Sequence, residues 1–154
     1  MVRLQQGVTL IELMITIALL AILAVAGIPL GRAWIANVQI TKTEKLFLDA
    51  YVRAKNEAIR NPNGISQDSA TAVATLSVDN SNKTIKVLDS KSPPTLMWTV
   101  DIPPNVTVRL SSATTSTECA DSQVTLDNNG HILTANCTKY TISANGGTDA
   151  TGSL

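Results

Sequence analysis

The chain has 154 residues, enough for one ordinary domain and a modest appendage, and long enough to bury a core without depending wholly on staples. Twelve basic residues balance twelve acidic ones, so overall charge gives no reason to expect nucleic acid or an acidic substrate. The balance hides a segregation: residues 31–61 carry six basic against three acidic side chains, while residues 62–154 carry five against eight, a net of −3.

Residues 8–30 read VTLIELMITIALLAILAVAGIPL and hold one charge, Glu12. A helix of about 20 apolar residues spans a bilayer. Arg3 precedes the stretch and Arg32 follows it, so flanking charge is nearly silent on orientation. Three readings compete. One is a secretory signal, with Ala24-Val25-Ala26 before Gly27 as its cleavage site. Another is a plain single-pass anchor. The third is a segment cut at Gly7, so that the apolar stretch stays on the mature chain.

Glu12 separates the three. A carboxylate this deep in an apolar helix costs roughly 2.5–3.5 kcal/mol on insertion scales, and such residues are functional by default. A disposable signal or a passive anchor gains nothing from it. A segment that leaves the bilayer to pack against copies of itself does: cleavage before Val8 creates an α-amino group, and a neighbour's amine can meet the carboxylate and offset its desolvation.

Gly7-Val8-Thr9-Leu10-Ile11-Glu12-Leu13-Met14 resembles the type IV prepilin signal. The resemblance implies cleavage after Gly7, N-methylation of Val8, a filament-assembly role for Glu12 at mature position five, and a helix kink at Pro29. Val8 stands where the family usually has Phe.

Beyond Pro29, which lacks a backbone donor and is expected to bend or loosen the helix, the pattern turns amphipathic. Ile40, Phe47, Ala50, Tyr51, Ala54 and Ala58 fall mostly three or four residues apart, a face suited to packing on a sheet. Lys45–Asp49, Asp49–Arg53 and Arg53–Glu57 are expected i,i+4 pairs on another face. Asn61-Pro62-Asn63-Gly64 ends the helix. The run Ala54-Lys55-Asn56-Glu57-Ala58-Ile59-Arg60 is similar to the helix end of FimT/FimU-type minor pilins and of the H-type minor pseudopilin of type II secretion, with Lys55 at a position where that group carries Arg.

After Pro62 the chain is rich in Thr, Ser and Val, and strands are expected over 71–78, 83–88, 95–100, 105–110, 123–126, 131–134 and 139–143. Asp79–Asn82 and Asp127–Gly130 read as hairpin turns. Pro93-Pro94 and Pro103-Pro104 bracket one strand and limit sheet growth. Ser111–Thr117 reads as a loop and Ala144–Leu154 as a mobile tail. Cys119 and Cys137 lack metal-type spacing. They read as one structural disulfide of an oxidising compartment, closing the base of the second hairpin and worth about 3 kcal/mol.

No phosphate loop, zinc motif or nucleophile elbow is present in the sequence, and the single histidine, His131, sits beside a turn. The expectation is a protein without enzymatic activity, cofactor or metal. DNA-capturing FimT-type pilins would, by resemblance, carry G-R-x-R near the C-terminus. Here that stretch reads Asn145-Gly146-Gly147-Thr148-Asp149, which leaves weak basic candidates such as Arg109 and Lys139 and weighs against nucleic acid.

The expected organisation is a leader (1–7), a transmembrane and filament-core helix (8–30), an amphipathic continuation (31–61) and a β-rich domain (62–154), in an α+β pilin fold. The resemblance implies a minor pilin held in the inner membrane of a Gram-negative bacterium, then moved into a pilus at the cell surface. Its partners would be prepilin peptidase, the inner-membrane assembly platform, the major pilin and other minor pilins, with which it would prime the tip. A type II secretion pseudopilin and a DNA-uptake pilin are the alternatives.

Overall fold

The computed structural model describes residues 7–66, 71–112, 118–119, 122–133 and 137–154. One helix, α1 (Leu10–Arg60), precedes seven strands: β1 (Ala74–Asp79), β2 (Thr84–Asp89), β3 (Leu96–Asp101), β4 (Val106–Ser111), β5 (Gln123–Leu126), β6 (Lys139–Ala144) and β7 (Ala150–Ser153). They form a four-stranded sheet, β3-β2-β1-β5, and a three-stranded sheet, β4-β6-β7, with every pairing antiparallel. The chain therefore has the expected α+β layout, with its strands divided between two sheets.

Both ends of α1 follow from local chemistry. Thr9 is the N-cap, its hydroxyl accepting from the Glu12 N–H at 3.3 Å. At the other end Asn61 adopts the left-handed conformation at φ 43°, which Asn tolerates better than other non-glycine residues. Its side chain then bonds both the N–H and the carbonyl of Ile65 at 2.9 Å and turns the chain toward the sheets. Pro29 lies within the helix without ending it; the ring removes one donor, and the helical turns on either side carry the segment through.

Only the second half of α1 has a core to face. Ala36, Ile40, Thr43, Phe47, Ala50, Ala54 and Ala58 are buried at spacings of three or four. The alanines let the sheets approach closely, and Phe47 fills the centre, its ring tilted against Tyr140 at 5.1 Å. Thr43 is buried at no polar cost, because its hydroxyl donates to the Gln39 carbonyl at 2.8 Å. The strands answer with period two: Leu76 and Val78 pair with Val87 and Ile85, and Val108 and Leu110 pair with Ile142 and Tyr140, all facing the helix.

The two sheets are sutured by side chains of the β1–β2 turn. Asn80 bonds both the N–H and the carbonyl of Val108, at 3.1 and 2.7 Å, as a neighbouring strand would, and the Lys83 ammonium donates to the Val106 carbonyl at 2.8 Å. These contacts cover part of the outer edge of β4.

Several expectations are corrected. The segment beginning at His131 is no strand: Ile132 makes one isolated bridge to Leu126, and Thr134 lies outside the described residues. The stretch expected as a mobile tail contains β7, which pairs in register with β6. Of the three helix ion pairs, Asp49–Arg53 forms at 2.9 Å. Arg53 also lies over the Trp98 ring, 5.2 Å from its centroid. Glu57 pairs with Arg60 instead, at 3.3 Å, and Lys45–Asp49 and Arg53–Glu57 are absent among the described residues. The 111–117 loop lies mostly outside the described residues.

The β2–β3 loop turns on Asp89. Its buried carboxylate accepts from the Thr95 N–H at 2.7 Å and the Lys91 N–H at 3.2 Å, with the Lys91 ammonium 3.6 Å away. The Thr95 N–H above all holds the carboxyl below its ordinary range, against the opposing effect of burial.

Two outcomes follow from this packing. Phe47→Ala should cost about 3–5 kcal/mol of unfolding free energy by chemical denaturation, the usual range for a buried aromatic. Because the folded-state pKa of Asp89 is depressed, its contribution is fully present above the unfolded value of about 3.9 and is lost as pH falls through the lower folded value. Melting temperatures followed on the acid side of pH 5 should fall less steeply for Asp89→Asn than for wild type; parallel curves would show that the loop does not depend on the ionised form.

Candidate functional site

The N-terminal part of α1 projects from the domain with nothing of the protein beside it. The most apolar stretch of the helix has none of its residues buried, and Leu10 is 77% exposed. Mean hydropathy there is 2.6, long and apolar enough to cross a membrane. Lipid or other apolar helices must cover it.

Glu12 lies near the start of this bare surface. Its backbone N–H is held by the Thr9 cap, and its carboxylate has no hydrogen-bond or ion-pair partner among the described residues. Thr9-Leu10-Ile11-Glu12 also has the spacing of a capping box, Thr at N-cap and Glu three residues on. Here the hydroxyl-to-N3 half of the box forms, and the carboxylate is left free. That spacing was readable from sequence and adds a local role: the Thr9 cap fixes where the first helical turn begins and so where Glu12 emerges.

Gly7 and Val8 precede the cap, outside the helix. A Cβ at Gly7 would meet nothing within 4 Å, so packing within the chain does not require glycine there; a requirement must come from outside the fold, as from a peptidase subsite. Gly27 and Gly31, flanking Pro29, are equally free of contacts and leave a smooth helix surface around the proline. Glu12 and Pro29 are 17 residues apart, about 25 Å along the axis.

The remaining expected positions lie elsewhere. Cys119 and Cys137 are joined by a disulfide with Cα atoms 6.1 Å apart. The bridge sits near the end of β4, where the Cys119 N–H donates to the Leu110 carbonyl at 2.9 Å. Between the cysteines, Asp127 organises the turn by accepting from the N–H groups of Asn129 and His131 at 2.9 and 2.7 Å. Gly130 has φ +75°, and a Cβ there would press on Lys55 of α1. The His131 side chain is 78% exposed and 3.4 Å from the Asp127 carboxylate. Among the described residues no group of three or more His, Cys, Asp or Glu could hold a metal ion.

The 145–149 turn, where arginines were sought, docks on the helix. The Thr148 N–H donates to the Asn37 side chain at 2.8 Å, and a Cβ at Gly147 would strike Ile40 and Ala36. Arg109 and Lys139 are on adjacent strands, but Arg109 is paired with Glu118 at 3.1 Å.

Residues 2–28 match the family described as the prokaryotic N-terminal methylation motif. No curated protein and no solved structure matches the chain. The prepilin-type motif and the helix-then-sheets layout support a type IV pilin-like protein, with a pilin or pseudopilin type of role. The same motif implies processing by prepilin peptidase and assembly with other pilins, and the single apolar helix fits a membrane-anchored pilin.

Because Gly7 has room for a side chain, Gly7→Ala should fold and insert normally yet resist cleavage. Mass spectrometry of the membrane fraction should find the variant heavier than the wild-type chain by the seven-residue leader; equal masses would place the cut elsewhere.

Proposed function

We propose that the chain is a minor pilin of a type IV pilus, cleaved between Gly7 and Val8, stored in the inner membrane of a Gram-negative bacterium, and drawn from there into a filament at the cell surface. At the inner-membrane assembly platform it joins other minor pilins, primes assembly and helps connect the tip to the major pilin. It has no enzymatic activity and uses no cofactor. The observation that carries this reading is the unpartnered Glu12 carboxylate on a helix surface left wholly bare. An isolated ion there is costly, and an α-amino group at Val8 of a neighbouring subunit supplies a cation of the right sign. Similarity of the helix end Ala54–Arg60 to FimT/FimU-type pilins supports the minor role. Against DNA uptake stand the net negative charge of residues 62–154 and the pairing of Arg109 with Glu118.

Leaving one member of a buried ion pair alone costs about 3–5 kcal/mol. Glu12→Ala should therefore insert into membranes as well as wild type, or better, while its share in sheared filaments falls at least about ten-fold. Quantitative immunoblots of membrane and filament fractions measure both; undiminished incorporation would refute the contact.

A further inference from the structure

We propose that the cleft beneath the three-stranded sheet, between Arg32 and Gln39 of α1 and Asn105 and Asn145 of the domain, holds the headgroup of an anionic phospholipid while the chain is anchored in the bilayer. The inference rests on the membrane-anchored reading and adds to it a site on the domain itself.

The position follows from helix geometry. From Leu10 to Leu30 the helix rises about 30 Å, the thickness of the hydrocarbon core. Arg32 therefore emerges among the headgroups. Trp34, 70% exposed on the opposite helix face, lies at the level where amphipathic aromatic rings settle. The β-domain reaches down to the same level, because the 145–149 turn docks at Asn37 and Ile40. The start of β4 and the end of β6 thus overhang Arg32.

The cleft under this overhang has a volume of about 320 Å³ and is lined by Arg32, Ile35, Ala36, Gln39, Asn105, Ala144 and Asn145. None of these is acidic. Arg32 has no ion-pair partner among the described residues, and the side-chain amides of Gln39, Asn105 and Asn145 make no hydrogen bond among them. One guanidinium and three amides around a concavity offer donors to phosphodiester oxygens, and the methyl-bearing floor of Ile35 and Ala36 suits the glycerol backbone above an acyl chain. Lys42 and Lys45 lie about 15–20 Å further along the helix from Arg32, too far to act at the same depth.

The chain has two tryptophans, and Trp34 lies on the far side of the helix from the cleft. Both are therefore replaced by Phe, and Pro104→Trp supplies a single reporter at an exposed position next to Asn105. The full-length chain is reconstituted in phosphatidylcholine vesicles containing either spin-labelled phosphatidylglycerol or spin-labelled phosphatidylcholine, each labelled near the top of the acyl chain. The ratio of the reporter's quenching by the two lipids reads their relative occupancy. The expected ratio is about five, the equivalent of about 1 kcal/mol for one cation at the lipid surface. Arg32→Gln should bring it near one, and Asn105→Leu should at least halve it, while Lys45→Gln leaves it unchanged. A ratio near one in the parent protein overturns the proposal. So does a preference that survives both Asn105→Leu and Gln39→Leu, since diffuse attraction to Arg32 would then suffice. Alkaline washing separates the two levels of the account: a chain stripped from the vesicles removes the membrane-anchored reading as well, whereas a retained chain with equal quenching removes the headgroup site alone.

Discussion

A carboxylate on a bare apolar helix is the constraint from which the rest of the account descends. The sheets bury one face of α1 from Ala36 onward; over its most apolar stretch the helix has none of its residues buried, and the stretch that would sit in hydrocarbon contains Glu12. Apolar surroundings in a membrane or a filament core penalise that charge, and nothing within the described chain neutralises it. On the proposed reading an amine of another subunit completes the charge balance, which ties the local chemistry of the helix start to assembly.

The second half of α1 meets a different constraint. There a stripe at spacings of three and four is filled by alanines around one phenylalanine, and the small side chains allow two sheets to share a single helix. Side chains then join what the backbone leaves separate: Asn80 completes the hydrogen bonding of Val108 across the gap between sheets, and Tyr140 reaches from β6 to Glu44 at 2.9 Å. The helix is thus the rigid link between domain and membrane. A pull on the domain is transmitted to the apolar segment through one continuous element, with Pro29 marking where one helical hydrogen bond is missing.

Elements whose residues carry their own instructions were legible in the sequence. The helix end follows from Asn61 and the proline behind it, the first hairpin from Asp79–Asn82, and the core stripe from its spacing, with five of its six expected residues buried. Elements defined by a partner were not. Ala150-Thr151-Gly152-Ser153 has no apolar alternation and reads as a tail, yet β6 offers it an edge, and Tyr140 lies where any side chain at Gly152 would be. Gly152 is required by a ring on the neighbouring strand. Arg53 pairs with Asp49 and lies over Trp98, distant in sequence, while Glu57 pairs with Arg60. At the N-terminus, Glu12 stood out as the single charge in its stretch, whereas the cleft at Arg32 arises only when the 145–149 turn folds back onto the helix.

The most direct examination of the central claim is the N-terminal residue of the chain isolated from membranes and filaments, determined by sequencing and intact mass. The account predicts Val8 at the start, bearing one N-methyl group, with Glu12 four residues behind it. A chain beginning at Gly27 would mean that the acidic side chain had been discarded with a secretory signal, and an amine to meet it would have no purpose.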